Sequence, residues 1–215
     1  MSNNKLFLTK HHQLNALAIC HRLCFPKTLS DKLGIAYIAK TFDWFLQGEN
    51  KFLFHIENEQ GKIIGYCGGF VSQGVGDGSS SGMLQHAFKE AIIGIIKKPW
   101  LVFNKEVMAA YPFIFKNIKR KIFPSTYKKI FIKYTTEEKK YAGLVVIGVH
   151  PVYRGKGIYD ELVNNFFEQA KLKGAVGANL SVKKNNARGI GAYKKFGWEV
   201  FQENKDTYVL KKEFS

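Results

Sequence analysis

The densest chemical signal in the chain lies in Val146–Val163, VIGVHPVYRGKGIYDELV. An apolar run stops at His150-Pro151. Gly155 and Gly157 then alternate with Arg154 and Lys156, and an apolar-periodic segment follows. A helix N-terminus leaves about four backbone N–H groups unpaired and carries roughly half a positive charge. Glycines let such a backbone approach a phosphate closely, and two cations add to the attraction. The chemistry these residues suit is binding of a phosphorylated ligand; a solvated cationic strand–helix connection is the plain alternative. Two common phosphate fingerprints fail: Lys156 is followed by Gly157, not Ser or Thr, and both GVGDGS and GKGIYD lack the final glycine of G-x-G-x-x-G. A second group with chemical potential is Tyr193 in NNARGIGAYKKFGW. Its phenol has an ordinary pKa near ~10. It also sits three residues from both Ile190 and Phe196, a spacing equally suited to core packing.

The elements that must position these groups follow from periodicity and breakers. Residues 5–9 read as a strand, and His12–Cys24 as a helix ended by Pro26. A second helix capped at Ser30-Asp31 runs to about Gln47. Residues 51–57 and 62–72 form a hairpin, and the Gly/Ser-rich 74–82 is a connector. Then come a strand 141–150, a helix Gly155–Lys173, a strand 175–182, a helix Asn186–Phe196 and a closing hairpin. The expected fold is a single mixed α/β domain with one strand–helix–strand unit.

The turn resembles the acetyl-CoA signature of the GCN5-related N-acetyltransferase (GNAT) superfamily, in which V-x-P leads into [RQ]-x-x-G-x-[GA]. Here these are Val149-His150-Pro151 and Arg154 to Tyr159, with Tyr159 in place of the usual Gly or Ala. Downstream, Asn186, Tyr193, Gly197 and Trp198 resemble the family's N-x-x-A-x-x-x-Y-x-x-x-G-F segment, with Gly189 for Ala and Trp198 for Phe. The resemblance implies a GNAT-like α/β fold covering 1–215, and acetyl-CoA as co-substrate with no metal. It implies that strand 144–149 parts from its neighbour at a bulge, so that backbone near Ile147 and Val149 meets pantetheine and a free N–H faces the thioester oxygen. It implies pyrophosphate contacts at Arg154, Gly155, Lys156, Gly157, Ile158 and Tyr159, a coenzyme contact at Asn186, and Tyr193 as general acid. The general base stays open among His150, Glu49, Asp77, Glu137, Glu138 and water.

Composition bounds the partners. Apolar residues make up 46% of the chain, enough for a core without staples, and the three cysteines, Cys20, Cys24 and Cys67, are too few for a disulfide framework. Cys20 and Cys24 stand at helical spacing and read as buried thiols. The N-terminus lacks an apolar signal region, so a cytoplasmic protein is expected. The formal charge of +16 predicts an anionic partner. Residues 89–140 hold 13 Lys/Arg against 4 Asp/Glu, inside a stretch, 73–140, that GNAT relatives replace by a tight hairpin. Met83–Ile96 and Lys105–Ile122 read as amphipathic helices within it. Three readings compete for this insertion. It covers a phosphorylated acceptor such as a nucleotide-linked amino sugar; it rests through 89–133 on the anionic inner face of the membrane, near a lipid-linked substrate; or it binds nucleic acid or the ribosome, with a packed insertion bearing a solvated basic face as the plain alternative. A non-catalytic acyl-CoA-binding module is the rival to an enzyme, and self-association into a homodimer is left open.

Overall fold

The computed structural model describes residues 4–72, 79–108, 111–112 and 139–214. Seven strands form one mixed sheet in the order β1-β2-β3-β4-β5-β7-β6. They are β1 (Lys5–Leu8), β2 (Lys51–Glu57), β3 (Ile63–Val71), β4 (Tyr141–Val149), β5 (Gly177–Lys183), β6 (Glu199–Glu203) and β7 (Thr207–Glu213). Only β4 and β5 run parallel, joined by the long helix α6 (Ile158–Leu172). The other helices are α1 (Leu14–Cys24), α2 (Leu29–Leu33), α3 (Ile35–Asp43), α4 (Ser79–His86), α5 (Phe88–Lys97) and α7 (Ala187–Lys195).

Two apolar clusters, one on each face of the sheet, explain this layering. In β3 every residue is buried, and the period of two sends alternate side chains to opposite faces. Cys67 joins Phe54, Leu162 and Phe166 beneath α6; Tyr66 joins Leu17, Phe42 and Phe45 beneath α1 and α3. Gly69 is required by this crowding, since a Cβ there would lie 2.6 Å from Phe166 and 2.9 Å from the Gly143 carbonyl oxygen.

The expected second helix differs in detail. Thr28, extended at ψ 164°, provides the cap by accepting from Asp31 N–H, so the helix begins at Leu29; it breaks at Gly34, whose φ is +104°. Ser30 instead bonds His21 (3.2 Å). The insertion is helical where it is described. Met83–Ile96 falls within α4 and α5, and a 3-10 turn follows at Pro99–Phe103. Most of the expected helix 105–122 lies outside the described residues. Helices α4 and α5 pack on α2 and α3, and Asp43 at the end of α3 pins α4 through His86 (2.7 Å), beside Lys40 (2.8 Å) and His11 (3.0 Å).

Candidate functional site

The parting of β4 from β5 creates the site. The two strands pair only over Tyr141–Gly143 and Gly177–Asn179. Immediately beyond, the β3–β4 register slips: Gly69 faces Leu144 but Gly68 faces Val146, leaving Val145 as the extra residue of a bulge. Val145 and Val146 accordingly both border the cluster beneath α1 and α3, whereas Ile147 and Val149 border the one beneath α6. The His150 N–H donates to the Ile64 carbonyl (2.8 Å). Alternation along an antiparallel ladder then turns the backbone of Gly148 and Val146 toward β3 and that of Ile147 and Val149 toward the gap.

The gap leads to the start of α6. Gly155 and Gly157 hold φ of +77° and +80°, the left-handed region in which glycine is at ease. The first bond of this helix runs from Glu161 N–H to the Gly157 carbonyl (3.1 Å), so the N–H groups of Gly155, Lys156, Gly157, Ile158 and Tyr159 lack a backbone acceptor among the described residues. A Cβ on either glycine would meet no protein atom within 4 Å. The result is an open cradle of amide donors at the positive end of a four-turn helix, suited to a phosphate group.

The side chains of the turn divide. The Arg154 guanidinium uses two of its five N–H donors on protein, with Nε donating to the Val149 carbonyl (3.2 Å) and Nη2 to that of Cys24 (3.0 Å). It ties the end of β4 to the end of α1. Lys156 holds its ammonium 5.2 Å above the Tyr153 ring, at the exposed rim. Asn186 caps α7, its side-chain oxygen accepting from Gly189 N–H (3.0 Å). His150 caps the 3-10 turn at Pro151–Tyr153, its Nδ1 accepting from Val152 N–H (3.4 Å). Burial, with Lys62 and Arg154 nearby, lowers its pKa. Glu49 lies at the opposite end of the sheet, just before β2, where its carbonyl accepts from Lys173 (2.6 Å). Asp77, Glu137 and Glu138 lie outside the described residues.

Tyr193 stands on α7 against the cluster beneath α6, with its ring centroid 6.3 Å from Tyr159 and 6.1 Å from Trp198. Its hydroxyl has no hydrogen-bond partner among the described residues. Burial pushes its pKa up to about 12, with Cys67 adding to the rise. Cys67 lies opposite Ile147 across the β3–β4 ladder. Tyr159, also raised by burial and by its neighbour Tyr193, keeps its hydroxyl buried without a partner among the described residues.

A hydrogen-bonded chain on the other face had no short-range signal in the sequence. Tyr66 is fully buried and lies over Gly148, where a Cβ would fall 2.6 Å from the phenol oxygen. That oxygen meets His21 Nδ1 at 2.5 Å, and His21 Nε2 continues to Ser30. The glycine opposite a tyrosine is visible in the sequence, but only the strand register pairs them. Burial lowers the His21 pKa from 6.5 to about 4, the Asp31 carboxylate opposing weakly. The neutral imidazole is therefore the native form. Its contribution is fully present above pH 6.5 and is lost as pH falls through about 4. The loss should approach about 3 kcal/mol in urea titrations compared across that window. His21→Gln should flatten that part of the acid dependence; an unchanged profile would reject it.

Comparison with known proteins agrees with this fold. Residues 124–198 match the profile of the Acetyltransferase (GNAT) family. Acetyltransferases of Yersinia pestis (strain Pestoides F) and Yersinia pseudotuberculosis (serotype I, strain IP32953) are each 33% identical over 66 residues, 31% of this chain. The match spans 44% of the length of those relatives. Among solved structures, Arabidopsis thaliana NAA60 with a bisubstrate analogue superposes with TM-score 0.58 at 13% identity, covering 99% of this chain and 100% of that one. The PaiA N-acetyltransferase of Thermoplasma acidophilum, in complex with coenzyme A, gives 0.57 at 12% identity, covering 99% of each chain. The fold is thus that of the GNAT acetyltransferases, and the resemblance seen in the two motifs holds in sequence and in architecture.

Proposed function

We propose that the protein is an acetyl-CoA-dependent N-acetyltransferase acting on a small-molecule amine. The observation that carries this reading is the parted β4–β5 edge running directly into the open amide cradle of Gly155–Tyr159. The cradle receives the pyrophosphate of coenzyme A, and the gap-facing backbone of Ile147 and Val149 receives the pantetheine arm. Arg154 supports the site by holding β4 and α1 in place, while Lys156 supplies an exposed cation. Asn186 acts by capping α7, which fixes where Tyr193 stands. Among the described residues no group of side chains is suited to hold a metal.

The reaction is a direct transfer. The neutral amine attacks the thioester carbonyl carbon, and a gap-facing N–H stabilises the developing oxyanion. The C–S bond then breaks, and Tyr193 donates its proton to the departing thiolate. The amine's proton leaves through solvent, since His150 is occupied as a cap. A phenol at about 12 stays protonated throughout the pH range in which amines are acetylated.

The acceptor class that best suits the basic, aromatic insertion is a nucleotide-linked or lipid-linked amino sugar. The test is a panel of amines, these first, scored by release of free thiol from acetyl-CoA. Gly157→Val should raise the acetyl-CoA dissociation constant at least tenfold, about 1.4 kcal/mol. The new side chain would enter the cradle and strain a backbone at φ +80°. Unchanged affinity in a folded variant would reject the site. Thermal stabilisation by an oligonucleotide but not by acetyl-CoA would favour a nucleic-acid-binding module instead.

A further inference from the structure

We propose that the outward face of α5 and the 3-10 turn after it form a docking surface for an anionic lipid bilayer. The inward side of α5 is fixed. Gly94 is buried against α2, where a Cβ would lie 2.8 Å from the Leu33 carbonyl oxygen, and Lys98 donates to the Lys32 carbonyl (2.7 Å). At 100° per residue, Ile96 then points away from that contact, and Ile93 and Lys89 flank the same outward side. Ile96 is 72% exposed. Three residues per turn put Trp100 and Phe103 on one side of the 3-10 helix, 66% and 83% exposed.

An amphipathic helix of a soluble domain ordinarily turns its apolar face to the core; here isoleucines, a tryptophan and a phenylalanine face outward as a ridge. Exposed lysines, Lys89, Lys97 and Lys105, surround them. Two acids, Glu90 and Glu106, stand against Lys89, Lys97, Lys98 and Lys105 in this stretch, and Glu106 lies 3.5 Å from Lys183, so the surface stays net positive. Aliphatic side chains beside an interfacial tryptophan, ringed by lysine, suit the headgroup and acyl boundary of a membrane rich in acidic lipid. Nucleic acid would make no use of the isoleucines. A symmetric contact with a second copy would set like charges against one another. No helix among the described residues is long and apolar enough to cross the membrane, so contact here is peripheral. The surface stands independently of acetyl transfer. Because α5 lies on α2, docking would turn the α1–α3 face of the sheet toward the bilayer.

Trp100 allows the test to be local. It is the exposed member of the chain's three tryptophans; Trp44 and Trp198 are 5% and 2% exposed. The full-length protein is mixed with vesicles of equal parts phosphatidylglycerol and phosphatidylcholine, and with phosphatidylcholine alone. Cosedimentation with the acidic vesicles only, weakening with salt, is expected, along with a blue shift of emission and protection from acrylamide. Ile96→Asp combined with Phe103→Asp should lower the partition coefficient about tenfold or more while acetyl-CoA still stabilises the protein. Absence of an emission shift with acidic vesicles, or equal binding by the double variant, overturns the proposal. A blue shift on raising protein concentration without lipid, or on adding an oligonucleotide, assigns the face to a second copy or to nucleic acid and overturns it as well.

Discussion

Tyr193→Phe should lower turnover about 10²-fold or more while leaving acetyl-CoA affinity and folding stability nearly unchanged. The structure makes this substitution unusually clean. The Tyr193 ring packs against Tyr159 and Trp198, and phenylalanine keeps that packing. The hydroxyl has no partner among the described residues, so its removal strands no buried donor. A purely structural tyrosine therefore predicts no change in either measurement, and only a chemical role predicts the loss of turnover. Its proton also makes a pH signature. The phenol, raised from 10 to about 12, keeps its full contribution to stability below pH 10 and loses it as pH rises through about 12. An alkaline fall in rate well below that window would belong to another group. Full turnover by the variant would return Tyr193 to the core.

The second large effect is expected from the insertion. Val71 pairs with Ala142, and the Ser72 N–H donates to the Tyr141 carbonyl (2.9 Å), so an Asn-Gly turn can join β3 to β4 in place of residues 73–140. Acetyl-CoA affinity should stay within a few fold, because the cradle and the parted strand are built from 141–198. Acetylation of the native acceptor should fall more than about 10²-fold, since positioning of the amine is lost. The reason is where α4 lies. Met83 borders the same cluster as Val145 and Val146, the residues of the bulge. Excision also uncovers Trp44 and Leu33, which Gly82 and Gly94 approach closely, so acetyl-CoA binding must be measured to verify folding. Asp43→Asn is a milder arm. It weakens the hold on His86 of α4, and the Michaelis constant for the acceptor should rise with that for acetyl-CoA unchanged. If the shortened protein acetylates the acceptor as well as the parent does, the insertion has no part in the acceptor site.

What the sequence by itself determined is local. The glycines at 155 and 157, placed between an apolar strand and an apolar-periodic helix, are enough to dictate a left-handed turn and unpaired amides at a helix start. The element order was legible for the same reason, since periods of two and 3.6 and the breakers around them act within a few residues. The tertiary structure decided whatever depends on a distant partner. Arg154 reads in the sequence as a phosphate cation; only the tertiary structure shows that its guanidinium also donates to the Cys24 carbonyl, 130 positions away. His150 reads as a candidate base, but the turn that follows it uses its ring as a cap. The bulge at Val145 exists because Gly68 and Gly69 of another strand set the register, and Tyr66 finds His21 only across that sheet. The outward face of α5 was likewise invisible to periodicity, which reports that a helix has an apolar side; Gly94 against Leu33 fixes which way that side points.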